Sequence, residues 1–236
     1  MMFQRVELLL GKECVEKLKN SHVIVFGLGG VGGYVVEALI RTGLGEITVV
    51  DFDTIDITNL NRQIIATQNQ VGKYKAEVIK ERILSINPQV KVNSYIEKFE
   101  EESADKFFNE NTKYTYVVDA IDLVKHKLKI IELSKKMGFP VISCMGTGNK
   151  LNPEMLKISD ISKTSVCPLA RVMRKELKNR RISKVKVLYS VEIPKKPKNE
   201  NGSREKKVNV GSVSFVPSAA GLIIASHVVK EICGVE

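Results

Sequence analysis

The chain has no tryptophan, only 14 other aromatic residues among 236, and four cysteines. Those cysteines (Cys14, Cys144, Cys167 and Cys233) lie far apart, with no C-x-x-C pair. A disulfide-dense scaffold and a C-x-x-C zinc site are therefore not readable, and a reducing cytoplasm is the expected compartment. No apolar run reaches the ~20 residues of a membrane span: Val213–Val229, the longest, is broken by Pro217, His227 and serines. The start, MMFQRVELLLGKE, carries an acid by position 7 and lacks signal-peptide character. With 43% hydrophobic residues, 16 Gly and 7 Pro, composition excludes disordered and collagen-like chains.

What the chain has in excess is positive charge, net +10, and it is concentrated. Residues 163–207 hold 15 basic and 4 acidic residues, leaving 22 basic and 23 acidic on the other 191. A near-neutral body with one basic segment points to a polyanion partner, although a solvated lysine-rich loop has the same composition. Arg171, Arg174, Lys175 and Lys178 have i, i+3, i+4, i+7 spacing and are expected to form one face of a helix over 169–178.

Apolar runs, one of them (Val90–Tyr95) alternating with polar residues, are interleaved with helical spacing along the first half. HVIVF (22–26), EITVV (46–50), Val90–Tyr95, YTYVV (114–118) and PVISC (140–144) read as strands. Residues 3–19, 31–42, 72–86 and 124–137 read as helices. The alternation predicts a Rossmann-like α/β fold: a doubly wound, mostly parallel sheet with helices on both faces. Two further strands (Met155–Ser159, Lys186–Val191), a mobile loop over 194–209 and a closing helix over 217–233 complete the chain. The expected organisation is a nucleotide-binding core, 1–148, packed as one domain with an α/β extension, 149–236.

Gly27-Leu-Gly29-Gly30-Val-Gly32 follows the first strand and opens a helix, and Asp51 ends the next strand. Glycines let a backbone approach phosphates, a helix N-terminus attracts them, and an acid at a strand end can hold ribose hydroxyls. The fingerprint alone leaves NAD and ATP open. Downstream, Asp53, Asn59, Arg62, Lys75 and Asp122 fall at or after strand ends. Cations for phosphates and a carboxylate for Mg²⁺ suit ATP cleaved between its α and β phosphates rather than hydride transfer.

The ordered set G-x-G-G-V-G, D-x-D, T-N-L-N-R-Q, V-G-x-x-K and D-x-x-D resembles the MoeB/ThiF family, adenylating proteins related to ubiquitin-activating enzymes. That resemblance covers residues 1 to about 148. It implies that Gly27, Gly29, Gly30, Gly32, Asp51, Asp53, Asn59, Arg62, Lys75 and Asp122 bind ATP, with Asp122 on Mg²⁺. It further implies a homodimer in which Arg5 reaches the partner's site, Arg62, Lys75 and Asp122 being the catalytic groups of the receiving subunit. The second half, with Asp160-Ile-Ser-Lys163-Thr164, Pro168-Leu-Ala-Arg171 and Gly211-Ser212-x-Ser-Phe215-Val-Pro217, resembles the branch that cyclises a modified adenosine beside the tRNA anticodon. The implied reaction is ATP-dependent dehydration of threonylcarbamoyladenosine through adenylation of its threonyl carboxylate; the charge pattern adds the expectation that Arg171, Arg174, Lys175 and Lys178 bind the tRNA. The resemblance leaves room for a sulfur-relay protein partner, which the sequence does not identify. Cys167-Pro168 departs from the Asp-Pro expected there. The alternative is a sulfur-carrier adenylyltransferase; the missing C-x-x-C pairs and the basic segment speak against it. Cys14, Cys144, Cys233 and the three histidines (His22, His126, His227) are expected to be structural, and Cys167 to lie in a polar, basic setting.

Overall fold

Hydrophobic alternation within the strands sets the layering of this computed structural model, which describes residues 2–196 and 210–235. Along β1 (His22–Phe26), Val23 and Val25 face one apolar cluster while Ile24 and Phe26 face another. β2 (Glu46–Val50), β3 (Lys91–Tyr95), β4 (Tyr116–Asp119), β5 (Val141–Cys144), β6 (Leu156–Asp160) and β7 (Lys186–Ser190) join it in one sheet ordered β3-β2-β1-β4-β5-β7-β6. All neighbouring pairs are parallel except β6–β7, an antiparallel edge. The sheet is therefore mixed at one end and otherwise doubly wound, as the sequence pattern predicts.

The first face is covered by α2 (Lys12–Lys19), α3 (Gly32–Thr42), α4 (Lys75–Ile86) and α8 (Phe215–Cys233). The second carries α5 (Ala104–Phe107), α6 (Val124–Lys136) and α7 (Pro168–Asn179). Residues 3–19 form two helices rather than one: α1 (Gln4–Leu10) ends at Gly11, whose φ of +83° breaks the run before α2. α4 begins three residues later than the spacing suggested, because Gly72, Lys73 and Lys75 are tied back to Asp53 and Ile55 by backbone bonds. The expected loop over 194–209 falls mostly outside the described residues.

α8, at 19 residues, is long and apolar enough by length and composition to cross a membrane, exceeding the run read from sequence. In this structure it lies along α3, and a Cβ on Gly221 would meet the Val31 carbonyl at 2.5 Å, so the two helix backbones touch. The cysteines bring a correction. Cys14 of α2 and Cys233 of α8, 219 residues apart, are joined by a disulfide that no sequence spacing could reveal. Packing of α2 on α8 creates the pair.

Candidate functional site

The chain runs outward from β1 in both directions, to β2 and β3 on one side and to β4 and β5 on the other, so loops diverge at the β1–β4 boundary. Crevices at the carboxyl ends of such strands receive ligands. A cavity of about 510 Å³ opens there. It gathers Gly27, Gly29 and Gly30 after β1, Asp51 and Asp53 after β2, Asn59 and Arg62 from the connection to α4, Lys75 at the start of α4, and Asp122 after β4.

The glycine turn is built by close backbone approach. Gly27 has φ +86°, and a Cβ there would meet the Ala120 carbonyl at 2.8 Å. At Gly32 a Cβ would lie 1.8 Å from the Gly27 carbonyl oxygen. Gly32 lines no part of the cavity; it lets the turn close so that α3 starts directly behind it.

Asp51 holds this turn. Its Oδ2 accepts the Leu28 N–H at 2.6 Å and its Oδ1 accepts the Asp53 N–H at 2.9 Å. Burial pushes its carboxyl above the ordinary value; Lys75 and the two backbone donors act in the opposite direction. Lys75, buried at 6% exposure, donates to Asp53 Oδ2 at 2.8 Å. Asn59 is a capping residue as well as a wall: its Oδ1 accepts the Asp56 N–H at 3.2 Å. Arg62 is anchored through Nη1 to the Thr58 carbonyl and Asn61 Oδ1, both at 2.9 Å, leaving Nε and Nη2 for other partners. Asp122 is exposed and has no ion-pair partner among the described residues.

Other lining residues were not assigned to the site from sequence: Gln63, Lys98, His126, Thr147, Ser212 and Pro217. Lys98 and Thr147 follow strand ends, a signal the alternation could have supplied. Ser212 and Pro217 arrive from some 150 residues away; Asn61 Nδ2 donates to the Ser212 carbonyl at 3.0 Å, and Pro217 lies 3.2 Å from where a Cβ of Gly30 would be. His126, expected to be structural, lines the cavity; burial, with Lys98, lowers its pKa and favours the neutral ring.

Arg5 lies exposed on α1 and does not line its own protomer's cavity. On α7, Arg171, Lys175 and Lys178 are exposed while Ala170, Met173 and Leu177 are buried. Arg174 departs from the expected strip. It is half-buried, with Nη1 donating to the Thr164 carbonyl at 2.8 Å and its hydroxyl at 2.7 Å, so part of its guanidinium is committed within the fold. Cys167 is buried at 2% exposure among apolar side chains, not in the polar setting its sequence neighbours suggest. Cys144 is also buried, and desolvation pushes its thiol up to about 12. The flanks of residues 197–209 converge on Asn149. Its carbonyl accepts the Lys195 N–H and its N–H donates to the Gly211 carbonyl, each at 2.8 Å, while its Oδ1 accepts the Gly211 N–H at 2.7 Å.

The ThiF family model matches residues 3–236. The tRNA threonylcarbamoyladenosine dehydratase of Bacillus subtilis is 41% identical over 240 residues, covering 98% of this chain and 94% of that protein. The crystal structure of the E. coli tRNA N6-threonylcarbamoyladenosine dehydratase TcdA with ATP superimposes with a TM-score of 0.89 at 31% identity, covering 99% of this chain and 94% of that one. Its AMP complex gives 0.90 at the same identity and coverage. A sulfur carrier protein adenylyltransferase of Thermus thermophilus, 33% identical over 133 residues, covers 56% of this chain and 48% of that protein. The chain belongs to the ThiF family, in the branch of the tRNA threonylcarbamoyladenosine dehydratases.

Proposed function

We propose that the chain dehydrates threonylcarbamoyladenosine beside the tRNA anticodon, using ATP to activate the threonyl carboxylate. The observation that carries this reading is the cavity in which the glycine turn, Asp51, Arg62, Lys75 and Asp122 converge. Similarity along nearly the whole length to a dehydratase of that name, and to a structure holding ATP, supports it over sulfur-carrier activation.

Phosphates lie on the Gly27–Gly30 turn at the head of α3, where backbone N–H groups and the helix dipole favour anions. Asp51 receives the ribose, and Lys98 and His126 line the same cavity. Arg62 and the buried Lys75 face charge that develops on the α phosphate and the departing pyrophosphate. Lys75 changes partner from Asp53 to phosphate, or is shared between them. Asp122 and phosphate oxygens suit Mg²⁺, which is held by one or two carboxylates rather than by an all-protein cage. Bound there, Mg²⁺ would neutralise phosphate charge.

The threonyl carboxylate attacks the α phosphorus and expels pyrophosphate. The carbamoyl nitrogen of the same side chain then attacks the activated carbonyl, loses its proton, and AMP leaves with the carboxylate oxygen. Tethering of nucleophile to electrophile supplies ~7–11 kcal/mol of such barriers in favourable cases, so no protein thiol is required. The burial of Cys144 and Cys167 agrees with that.

Substrate tRNA lies along the exposed Arg171, Lys175 and Lys178 of α7, the enzyme works in the cytoplasm, and the core and extension act as one domain. Two copies pair through α1 and α8. Leu8 and Leu9 are 82% and 83% exposed, and Leu9, Leu10, Ala38, Leu222, Ala225 and Val229 line an apolar groove between α1, α3 and α8. Pairing there brings Arg5 to the neighbour. A mixture of Arg5→Ala and Asp122→Ala protomers should recover activity that neither has alone. Mass spectrometry of tRNA after incubation with protein and ATP is the direct test: loss of one water with release of AMP is expected, and an unchanged tRNA mass would reject the reading.

A further inference from the structure

Behind Asp122 lies an ion pair that water does not reach. Lys127 of α6 and Asp119 at the end of β4 are both 0% exposed, with Nζ to Oδ2 at 3.0 Å. The same ammonium donates to the Ile121 carbonyl at 2.9 Å. Asp119 Oδ1 accepts the Ile121 N–H at 3.2 Å, and its Oδ2 accepts the Ser143 hydroxyl at 2.6 Å. Ile121, the residue before Asp122, is thus held at its N–H by one member of the pair and at its carbonyl by the other. On the preceding side, the Ala120 N–H is fixed to the Phe26 carbonyl at 2.8 Å, and Ala120 forms the surface against which the Gly27 turn closes.

We propose that Lys127, through Asp119, is a positioning residue for Asp122, fixing the carboxylate that receives the metal–nucleotide. This rests on the assignment of Asp122 to Mg²⁺ made above. The physical ground is the poor return of a buried ion pair as a stability device. Two apolar residues of similar volume serve as well or better, because desolvation of the charges offsets their attraction. Apolar residues, however, have no group to offer the two polar atoms of Ile121. Leu123, which precedes α6, supplies no side-chain cap, and the pair ties the helix to the loop that carries Asp122. Supporting shells of this kind change metal affinity by about 10- to 100-fold when removed.

Lys127→Met alone leaves Asp119 buried without its counter-charge and can unfold the protein. The informative variant is Asp119→Asn combined with Lys127→Met, which removes both charges yet keeps an acceptor for Ile121 and a partner for Ser143. Calorimetric ATP binding should be measured with and without Mg²⁺, beside AMP binding without metal. The double variant should melt cooperatively, bind AMP as the wild type does, and lose about 10-fold of the Mg²⁺-dependent gain in ATP affinity. Lys127→Arg, which keeps a cation for Asp119, should recover part of that gain. A folded double variant with the wild-type Mg²⁺ dependence overturns the proposal. Asp122→Asn separates the two ideas. If it loses the Mg²⁺ dependence while the double variant keeps it, positioning is wrong and the metal assignment stands. If Asp122→Asn keeps the dependence, the metal assignment fails and the positioning role falls with it.

Discussion

Lys75, at the first position of α4, points its ammonium at Asp53 Oδ2, 2.8 Å away, while itself being only 6% exposed. A buried lysine with one exposed carboxylate partner is a cation held ready for a second anion. Lys75→Ala should bind AMP with little change, retain the fold, and lose about 10²–10³-fold in pyrophosphate release, the scale for removing one preorganised charge-stabilising group. Exchange of labelled pyrophosphate into ATP measures this directly. Full exchange in the variant would remove Lys75 from the phosphate site.

Gly32→Ala tests the turn without removing any polar group. The new Cβ would sit 1.8 Å from the Gly27 oxygen, so the loop must open. We expect loss of ATP binding and a stability cost of about 2 kcal/mol or more, typical of forced overpacking. Gly11→Ala is a useful contrast: nothing lies within 4 Å of its Cβ position, though its φ of +83° still disfavours a side chain. Its effect should fall on α1, leaving nucleotide affinity intact.

Glu37 links the helix behind the glycine turn to the helix that begins with Lys75. Its carboxylate accepts from Arg82 at 2.7 and 3.0 Å and from Arg41 at 2.7 Å. Burial alone would raise its pKa, but the arginines outweigh it and hold the carboxyl below its ordinary value. A carboxylate depressed in the folded state stabilises above its unfolded pKa, and that contribution fades as pH falls through the folded value. Glu37→Gln should cost about 1 kcal/mol at neutral pH, discounted for the partly exposed arginines, with the gap closing below about pH 4. Denaturant midpoints at pH 7 and pH 3.5 give the comparison; a pH-independent gap would show that packing, not charge, is responsible.

The basic residues of α7 divide by what they touch. Charge reversal at Arg171, Lys175 and Lys178 should weaken tRNA binding and lower the slope of log affinity against log salt by about 0.7–0.9 for each phosphate no longer neutralised. ATP affinity should stay the same. Arg174→Ala should behave differently, costing about 1–2 kcal/mol of stability as its bonds to Thr164 disappear. If it acts like the other three, its guanidinium is available to tRNA after all.

The Cys14–Cys233 link makes a simple chemical count. Denatured without reductant, the oxidised protein should show two titratable thiols, from Cys144 and Cys167, and four after reduction. Protein isolated under cytoplasmic reducing conditions should show four at once, since disulfides there are generally kept reduced. In the folded protein, Cys144 should resist alkylation at neutral pH, because burial holds its thiol far from ionisation.

The sequence by itself determined the strand–helix alternation, the glycine turn and the acids at strand ends, because these are local matters. The central strands β1, β2, β4 and β5 are buried on both faces and read as apolar runs, and a turn that must approach phosphates has to be glycine. Gly27, Asp51, Arg62, Lys75 and Asp122 were therefore legible, and they do line one cavity. The tertiary structure decided everything that depends on distant segments meeting. Ser212 and Pro217 complete the cavity across more than 150 residues, Cys14 meets Cys233, and β6 turns antiparallel at the edge beyond β7. It also separated residues that sequence treats alike. Arg174 and Arg171 share a helix and a charge, but three residues fall about 60° short of a full turn, and that offset directs the first onto Thr164 and the second into solvent. Lys127 shows the same limit: a lysine in a basic helix reads as surface, and only the fold shows it buried against Asp119, since burial depends on the side of the helix that meets the sheet.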